Sequence, residues 1–107
     1  MGRAKPRRIH KTIAEGTAIK HPRRLREIIG AVRESGGDTI ALTEEEIVGA
    51  LHRLARQGLF TEPTSASAAA ALAKLSDAGS IKASEITIVI LTGTGLKVAS
   101  MVADLVE

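Results

Sequence analysis

The sequence contains no cysteine, no tryptophan and no tyrosine, and it has a single phenylalanine. Without cysteine, disulfide frameworks and thiolate metal sites are excluded, which is compatible with a reducing compartment. With one phenylalanine and no tryptophan or tyrosine, the chain offers no aromatic stacking platform for single-stranded nucleic acid. No apolar run approaches the roughly 20 residues of a membrane helix, and no apolar signal core follows the basic N-terminus. We therefore expect a soluble, cytoplasmic protein with no membrane partner.

Charge is distributed unevenly along the chain. Residues 1–26 carry nine basic side chains and one acidic one, a net charge of +8, whereas the remainder carries six basic and eleven acidic ones, a net charge of −5. Such a basic segment can attract phosphates or RNA, although it is more often a solvated face. We predict a disordered basic arm over residues 1–11 and one domain over residues 12–107. A nucleic-acid-binding or scaffold module is the alternative from another functional class.

Helical and extended patterns alternate, which is typical of an α/β protein. Because the predicted strands are short and only one is strongly hydrophobic, they indicate part of a larger sheet. The predicted helices span residues 23–35, 44–57, 66–75 and 96–106, and the predicted extended pieces lie within 12–19, 38–42, 58–61 and 86–91.

A capping box is predicted at the start of the second helix. Thr43 is a good N-cap, and Glu46 stands three residues later, where its carboxylate can reach back to the Thr43 amide. The glutamates at positions 44–46 also suit the positive end of the helix dipole. We assign them to capping rather than to catalysis.

The most distinctive segment is a β-branched run over residues 86–91 that ends in Thr92-Gly93-Thr94-Gly95. A continuous apolar run favours a strand buried on both faces, and ligands of open α/β sheets bind beyond the carboxyl ends of such strands. Thr92 and Thr94 occupy that position. The glycines could let backbone amides approach an anion, but the spacing is not that of a Walker motif. A phosphate cradle and an ordinary turn both remain open.

The sequence gives little indication of a metal site or of a catalytic serine. The histidines, His10, His21 and His52, lack the spacing of a helical metal site, so we predict surface histidines and no metal. The serines at positions 65, 67 and 84 lack the glycine frame of a nucleophile elbow, which argues against serine hydrolysis.

Four segments together resemble the carboxyl-terminal third of threonine synthase, in order and in approximate spacing over residues 10–97. They are residues 12–16 (TIAEG), 34–37 (ESGG), 58–66 (GLFTEPTSA) and 91–97 (LTGTGLK). Threonine synthases are pyridoxal-phosphate enzymes of fold type II, the tryptophan synthase β-like type. The resemblance implies a partial three-layer α/β sandwich in which short, mostly parallel strands pack against helices.

The resemblance also implies a role for Thr92. In this fold type a hydroxyl at the strand end faces the pyridine nitrogen of pyridoxal phosphate, where other enzymes of this cofactor use an aspartate. A hydroxyl cannot readily protonate that nitrogen, so the ring stays nearer to neutral, which suits β- and γ-elimination and replacement. The Ala14-Glu15-Gly16 loop is expected near the cofactor without an assigned role for Glu15. Residues 62–65 are interpreted as the start of the alanine-rich helix.

Two elements of the family have no counterpart in these residues. The Schiff-base lysine and the phosphate-binding loop belong to the amino-terminal part of the family, and no lysine here has the expected context. The tail departs too, because residues 98–107 continue as an apolar helix where relatives usually have an aspartate. We therefore assign no catalytic residue and expect no activity from the chain alone. The lysines considered are Lys11, Lys20, Lys74, Lys82 and Lys97.

The resemblance thus points to a threonine synthase-like fragment. The intact family converts O-phosphohomoserine and water to threonine and phosphate. The alternatives are a fragment of a threonine or serine dehydratase, or of an enzyme that replaces phosphate on phosphoserine. The expected partners are a complementary amino-terminal half or further copies of the chain, together with a small amino-acid substrate. Such a fragment should also expose apolar surface.

Overall fold

The computed structural model describes residues 10–106, and four α-helices dominate it. Within these residues no strand forms, and one antiparallel β-bridge joins Thr61 and Thr94. The helices are α1 (Leu25–Glu34), α2 (Glu44–Arg56), α3 (Pro63–Asp77) and α4 (Ala99–Val106), with 3₁₀ turns at Glu15–Thr17 and Gly95–Val98.

All four predicted helices are confirmed, with shifted ends. Helix α3 begins three residues earlier than predicted, because Pro63 occupies its first turn, where proline's fixed φ suits a helix and its missing N–H costs nothing. Helix α4 begins later, because the turn before it is 3₁₀. After α1 the chain reverses at Gly36, whose φ of 66° favours glycine.

The capping box at the start of α2 is confirmed. The Thr43 hydroxyl accepts a hydrogen bond from the Glu46 amide at 3.2 Å, and the Glu46 carboxylate accepts one from the Thr43 amide at 2.7 Å. The same carboxylate forms a 2.9 Å ion pair with Lys74 of α3. One glutamate therefore both caps α2 and ties it to α3.

The core lies between α2 and α3 and is closed by α4. Ile47 and Leu51 of α2 pack with Ala66 of α3, Val102 of α4 and Ala14. Since alanine brings little surface of its own, the larger side chains of α2 and α4 fill the space beside α3, as the alanine-rich pattern predicts.

The buried strand predicted over residues 86–91 is wrong for this structure. Ile86 is 96% exposed, Ile88 83% and Ile90 72%. An extended segment becomes a strand only when a neighbour completes its backbone hydrogen bonds, and residues 10–106 supply none. The predicted pieces at 38–42 and 58–61 form no strand either, apart from the bridge at Thr61. The α/β sandwich is therefore not formed by the described residues.

Helix α1 is amphipathic, as predicted, but its apolar face is open. Leu25 is 38% exposed and Ile28 52%, and no residue of the helix is buried. The spacing of these side chains therefore predicts the helix, but it does not predict which residues cover its apolar face.

The remaining predictions concern the surface. Of the basic arm, residues 1–9 lie outside the described residues, while His10 and Lys11 are exposed. The prediction of three surface histidines is wrong for His52, which is half-buried and has its Nε2 against the carbonyl of Leu105. No helix of the described chain has both the length and the apolarity needed to cross a bilayer.

Acid should destabilise the α2–α3 pair. Hydrogen bonds from the Lys74 ammonium and the Thr43 amide lower the pKa of Glu46 below its usual 4.5. The folded state therefore binds fewer protons than the unfolded state, so the stabilisation is complete above that value and is lost as the pH falls through the folded pKa. We expect the thermal midpoint to fall as the pH is lowered below 4.5 and the Glu46→Gln variant to show a shallower fall.

The control is Glu34→Gln, which removes an exposed carboxylate at the end of α1. Equal pH slopes for the Glu46→Gln variant and the unaltered chain would contradict the assignment.

Candidate functional site

The end of the 86–91 segment is fastened to the beginning of α3. The amide of Thr92 donates a 2.9 Å hydrogen bond to Oγ of Ser65, which is in the first turn of α3 and 2% exposed. The amide of Glu62, the N-cap of α3, donates to the carbonyl of Gly93 at 3.2 Å. Two adjacent hydrogen bonds thus position the loop that carries Thr92.

Backbone contacts continue along this loop. Thr61 and Thr94 form the β-bridge, and the amide of Gly95 donates to the carbonyl of Phe60 at 3.1 Å. The next amide, of Leu96, donates to the hydroxyl of Thr94 at 3.4 Å. Because the protein itself engages these two amides, the structure favours a packed turn over the phosphate cradle that the glycines alone left open.

Close packing explains Gly95 of the loop. A Cβ atom at Gly95 would lie 2.8 Å from the Phe60 ring, so a side chain there displaces the ring. A Cβ atom at Gly93 would overlap the Glu62 carboxylate, which is the end of a flexible side chain and can move away.

The Ala14-Glu15-Gly16 loop meets the same end of α3. The amide of Gly16 donates to the Thr64 hydroxyl at 3.1 Å, and the amide of Ile13 donates to the Glu44 carboxylate of α2 at 2.9 Å. Ala14 itself is buried in the core. The beginning of α3 therefore brings together two chain segments about 80 residues apart in sequence, the loop around Glu15 and the loop around Thr92.

A small cavity of about 180 Å³ opens beside this junction. Glu15 and Glu62 line it together with apolar side chains that include Val98 and Met101. With two carboxylates and no basic side chain in its lining, the cavity is unsuited to an anion such as a phosphate group.

Thr92 is exposed at the end of the segment, where the sequence placed it. What sequence reasoning missed is Ser65, interpreted there only as part of a helix start. Its hydroxyl reaches across 27 residues of sequence to the Thr92 amide. A serine in the first turn of a helix is too common to indicate such a contact.

Similarity to known proteins agrees with this geometry. The family model for pyridoxal-phosphate dependent enzymes matches residues 1–93, which include both loops up to Gly93. The chain therefore belongs to the pyridoxal-phosphate dependent enzyme family, whose members have the tryptophan synthase β-like fold.

Within that family the chain is similar to threonine synthases. It is 40% identical to the threonine synthase of Methanosarcina acetivorans over 98 residues, 91% of this chain and 24% of that enzyme. It is 44% identical to that of Methanocaldococcus jannaschii and 38% identical to that of Mycobacterium leprae, each over 81% of this chain and 22% and 24% of those enzymes. The chain thus spans about a quarter of the length of these relatives.

The chemistry of Thr92 is compatible with one side of pyridoxal phosphate, the side that carries the ring nitrogen. A threonine hydroxyl can donate or accept a hydrogen bond, so it can face a ring nitrogen without dictating its protonation. Thr92 offers such a hydroxyl at an exposed position, on a backbone that Ser65 holds from beneath.

Proposed function

We propose that this chain forms the pyridine-nitrogen side of a pyridoxal-phosphate site in an enzyme resembling threonine synthase. The reaction would convert O-phosphohomoserine and water to threonine and phosphate. The observation that carries the proposal is the exposed Thr92 hydroxyl on a loop anchored to α3. When bound, the cofactor supplies an electron-withdrawing ring.

The chain's own contribution is to position a neutral hydrogen-bonding group. Ser65 and the Glu62–Gly93 hydrogen bond hold the backbone around Thr92, which would present its hydroxyl to the ring nitrogen. Because a hydroxyl does not ionise near neutral pH, it can stabilise the ring without transferring a proton to it. This suits elimination and replacement at the β and γ carbons.

In this proposal the Schiff-base lysine comes from other polypeptide. Lys74 is held by the Glu46 carboxylate and by the carbonyl of Ala41, at 2.9 and 3.0 Å. The other described lysines, Lys11, Lys20, Lys82 and Lys97, are exposed on the surface. We therefore propose that polypeptide equivalent to the rest of a threonine synthase provides the lysine and the phosphate loop and completes the α/β sandwich.

The proposed role of Thr92 can be tested in a complex of two chains. One is this chain, and the other is the M. acetivorans threonine synthase without the 98 residues that match it. With cofactor labelled by ¹⁵N in its ring, Thr92→Ser should leave the ¹⁵N resonance close to that of the unaltered complex. Thr92→Val should shift it and weaken cofactor binding about 10-fold, the equivalent of one hydrogen bond. Thr92→Asp should move it toward the protonated form.

Two results would contradict the proposal. One is a ¹⁵N resonance that Thr92→Val and Thr92→Asp leave unchanged in an assembled complex. The other is borohydride fixation of the cofactor to a single lysine of this chain, because that would give the chain an anchoring lysine of its own.

Substrate trials separate the related alternatives. Phosphate release from O-phosphohomoserine supports threonine synthase, ammonia release from threonine or serine a dehydratase, and turnover of phosphoserine a replacement enzyme. A cytoplasmic location, supported by the absence of cysteine, would suit all three. The exposed arginines at positions 23, 24 and 26 favour the nucleic-acid alternative only if RNA binding weakens steeply with salt.

A further inference from the structure

A charged groove of about 240 Å³ runs between α2 and α3, and we call it the α2–α3 groove. Its lining comes from these two helices alone, so the groove is complete within the described residues. Small residues, namely Gly49, Ala70 and Ala73, form its more buried part, and charged side chains border them. None of residues 92–95 lines the groove, which is therefore separate from the Thr92 loop.

Three charges in the groove have no partner. Lys74 and Glu46 form the 2.9 Å ion pair described above. Arg53, Glu45 and Asp77 border the same groove, but within the described residues none of them forms an ion pair. The groove therefore offers one free positive charge and two free negative charges, a net charge of −1.

The free charges of opposite sign lie at opposite ends of the groove. Helices α2 and α3 are antiparallel, because Lys74, near the end of α3, contacts Glu46 in the first turn of α2. Asp77 therefore lies at the same end of the groove as Glu45. Arg53 is about two turns further along α2. The groove thus has an acidic end and a basic end.

Gly49 keeps the space between these ends open. Nη1 of Arg53 lies 3.5 Å from the point where a Cβ atom of Gly49 would be, and no described atom of α3 comes within 4 Å of that point. Packing against α3 thus does not require a glycine, although glycine inside a helix is less favourable than alanine. Because Gly49 follows Glu45 by about one turn, the guanidinium beside it is about 6 Å from Glu45 along the helix axis.

We propose that the α2–α3 groove is a binding site for a free diamino acid of the size of lysine. The ligand carboxylate pairs with the Arg53 guanidinium, and the side-chain ammonium lies between Glu45 and Asp77. The stem of four methylene groups, which is about 6 Å long, covers Gly49 and the two alanines. The ligand's net charge of +1 balances that of the three free side chains. This inference does not depend on the proposed function.

NMR titration of the ¹⁵N-labelled chain with free lysine tests the proposal. Because the charged side chains are exposed and each ion pair is weak, we expect a dissociation constant of about 1 mM. Saturable shifts are expected at the amides of Gly49, Ala70 and Ala73. Norleucine, which lacks the side-chain ammonium, and cadaverine, which lacks the carboxylate, should each bind about fivefold more weakly.

Substitutions in the groove test its geometry. Gly49→Ala should weaken lysine binding by at least about fivefold, because the methyl group occupies space needed by the stem, and it should raise the melting temperature. Gly30→Ala is the matched control, since Gly30 lies inside α1 with no described contact within 4 Å of its Cβ position. Arg53→Gln should weaken the binding of lysine but not that of cadaverine.

Three results would overturn the proposal. The first is the absence of saturable shifts in the groove on addition of lysine. The second is equal binding of lysine and norleucine, which would leave the acidic end without a role. The third is unchanged lysine binding in the Gly49→Ala and Arg53→Gln variants, which would place the ligand elsewhere on the chain.

Discussion

Replacing Leu51 with alanine is expected to lower the free energy of unfolding by about 2–5 kcal/mol, the usual cost of deleting a buried leucine side chain. Leu51 is 2% exposed and lies in the cluster that joins α2, α3, α4 and the loop at Ala14. The neighbouring alanines cannot extend into the space. Since a domain of this size has a total stability of about 5–15 kcal/mol, the change should lower the melting temperature by roughly 10 °C or more.

The matched control is Leu59→Ala. Leu59 is 44% exposed, so its truncation should cost about half as much. Circular dichroism during thermal and urea denaturation measures both variants. Equal losses for the two leucines would show that the α2–α3 core is not the main source of stability.

Replacing Ser65 with alanine is expected to have the second-largest effect, focused on the Thr92 loop. The change removes the acceptor of the 2.9 Å bond from the Thr92 amide. Losing an acceptor at a buried position costs about 1–2 kcal/mol. The Thr92 amide should exchange with solvent about 10-fold faster, and in the assembled complex the cofactor's ¹⁵N resonance should shift in the same direction as for Thr92→Val.

Ser67→Ala is the control for this prediction. Ser67 is in the same helix, and its hydroxyl donates to the carbonyl of Pro63 at 3.3 Å, within α3 itself. Its loss should leave exchange at Thr92 unchanged, because its hydrogen bond stays within α3. If both serines alter that exchange alike, the effect belongs to the helix as a whole rather than to the Ser65–Thr92 bond.

The helices could be predicted because their determinants are local. Thr43 and Glu46 form the capping box that their three-residue spacing predicts, and the spacing of Ile47 and Leu51 predicts the buried side of α2. Each of these patterns involves residues within one or two helical turns. They therefore act in the same way whatever surrounds them.

The strand could not be predicted in the same way, since its hydrogen bonds belong to other segments. Residues 86–91 have the β-branched composition of a buried strand, yet Ile86 is almost fully exposed. The composition of the segment indicates that it requires an apolar neighbour. Whether that neighbour is present is a property of the surrounding structure.

The sequence alone determined the helices, the apolar segment leading to Thr92 and, through four short motifs, the resemblance to threonine synthases. Only the tertiary structure decided that Ser65 and Glu62 hold the Thr92 loop and that Gly95 packs against the Phe60 ring. It also decided that the isoleucines of residues 86–91 remain open. The physical reason is distance along the chain. Helix caps and apolar spacing act between near neighbours, whereas a hydrogen bond across 27 residues or a pair of covered strand edges exists only after distant segments have come together.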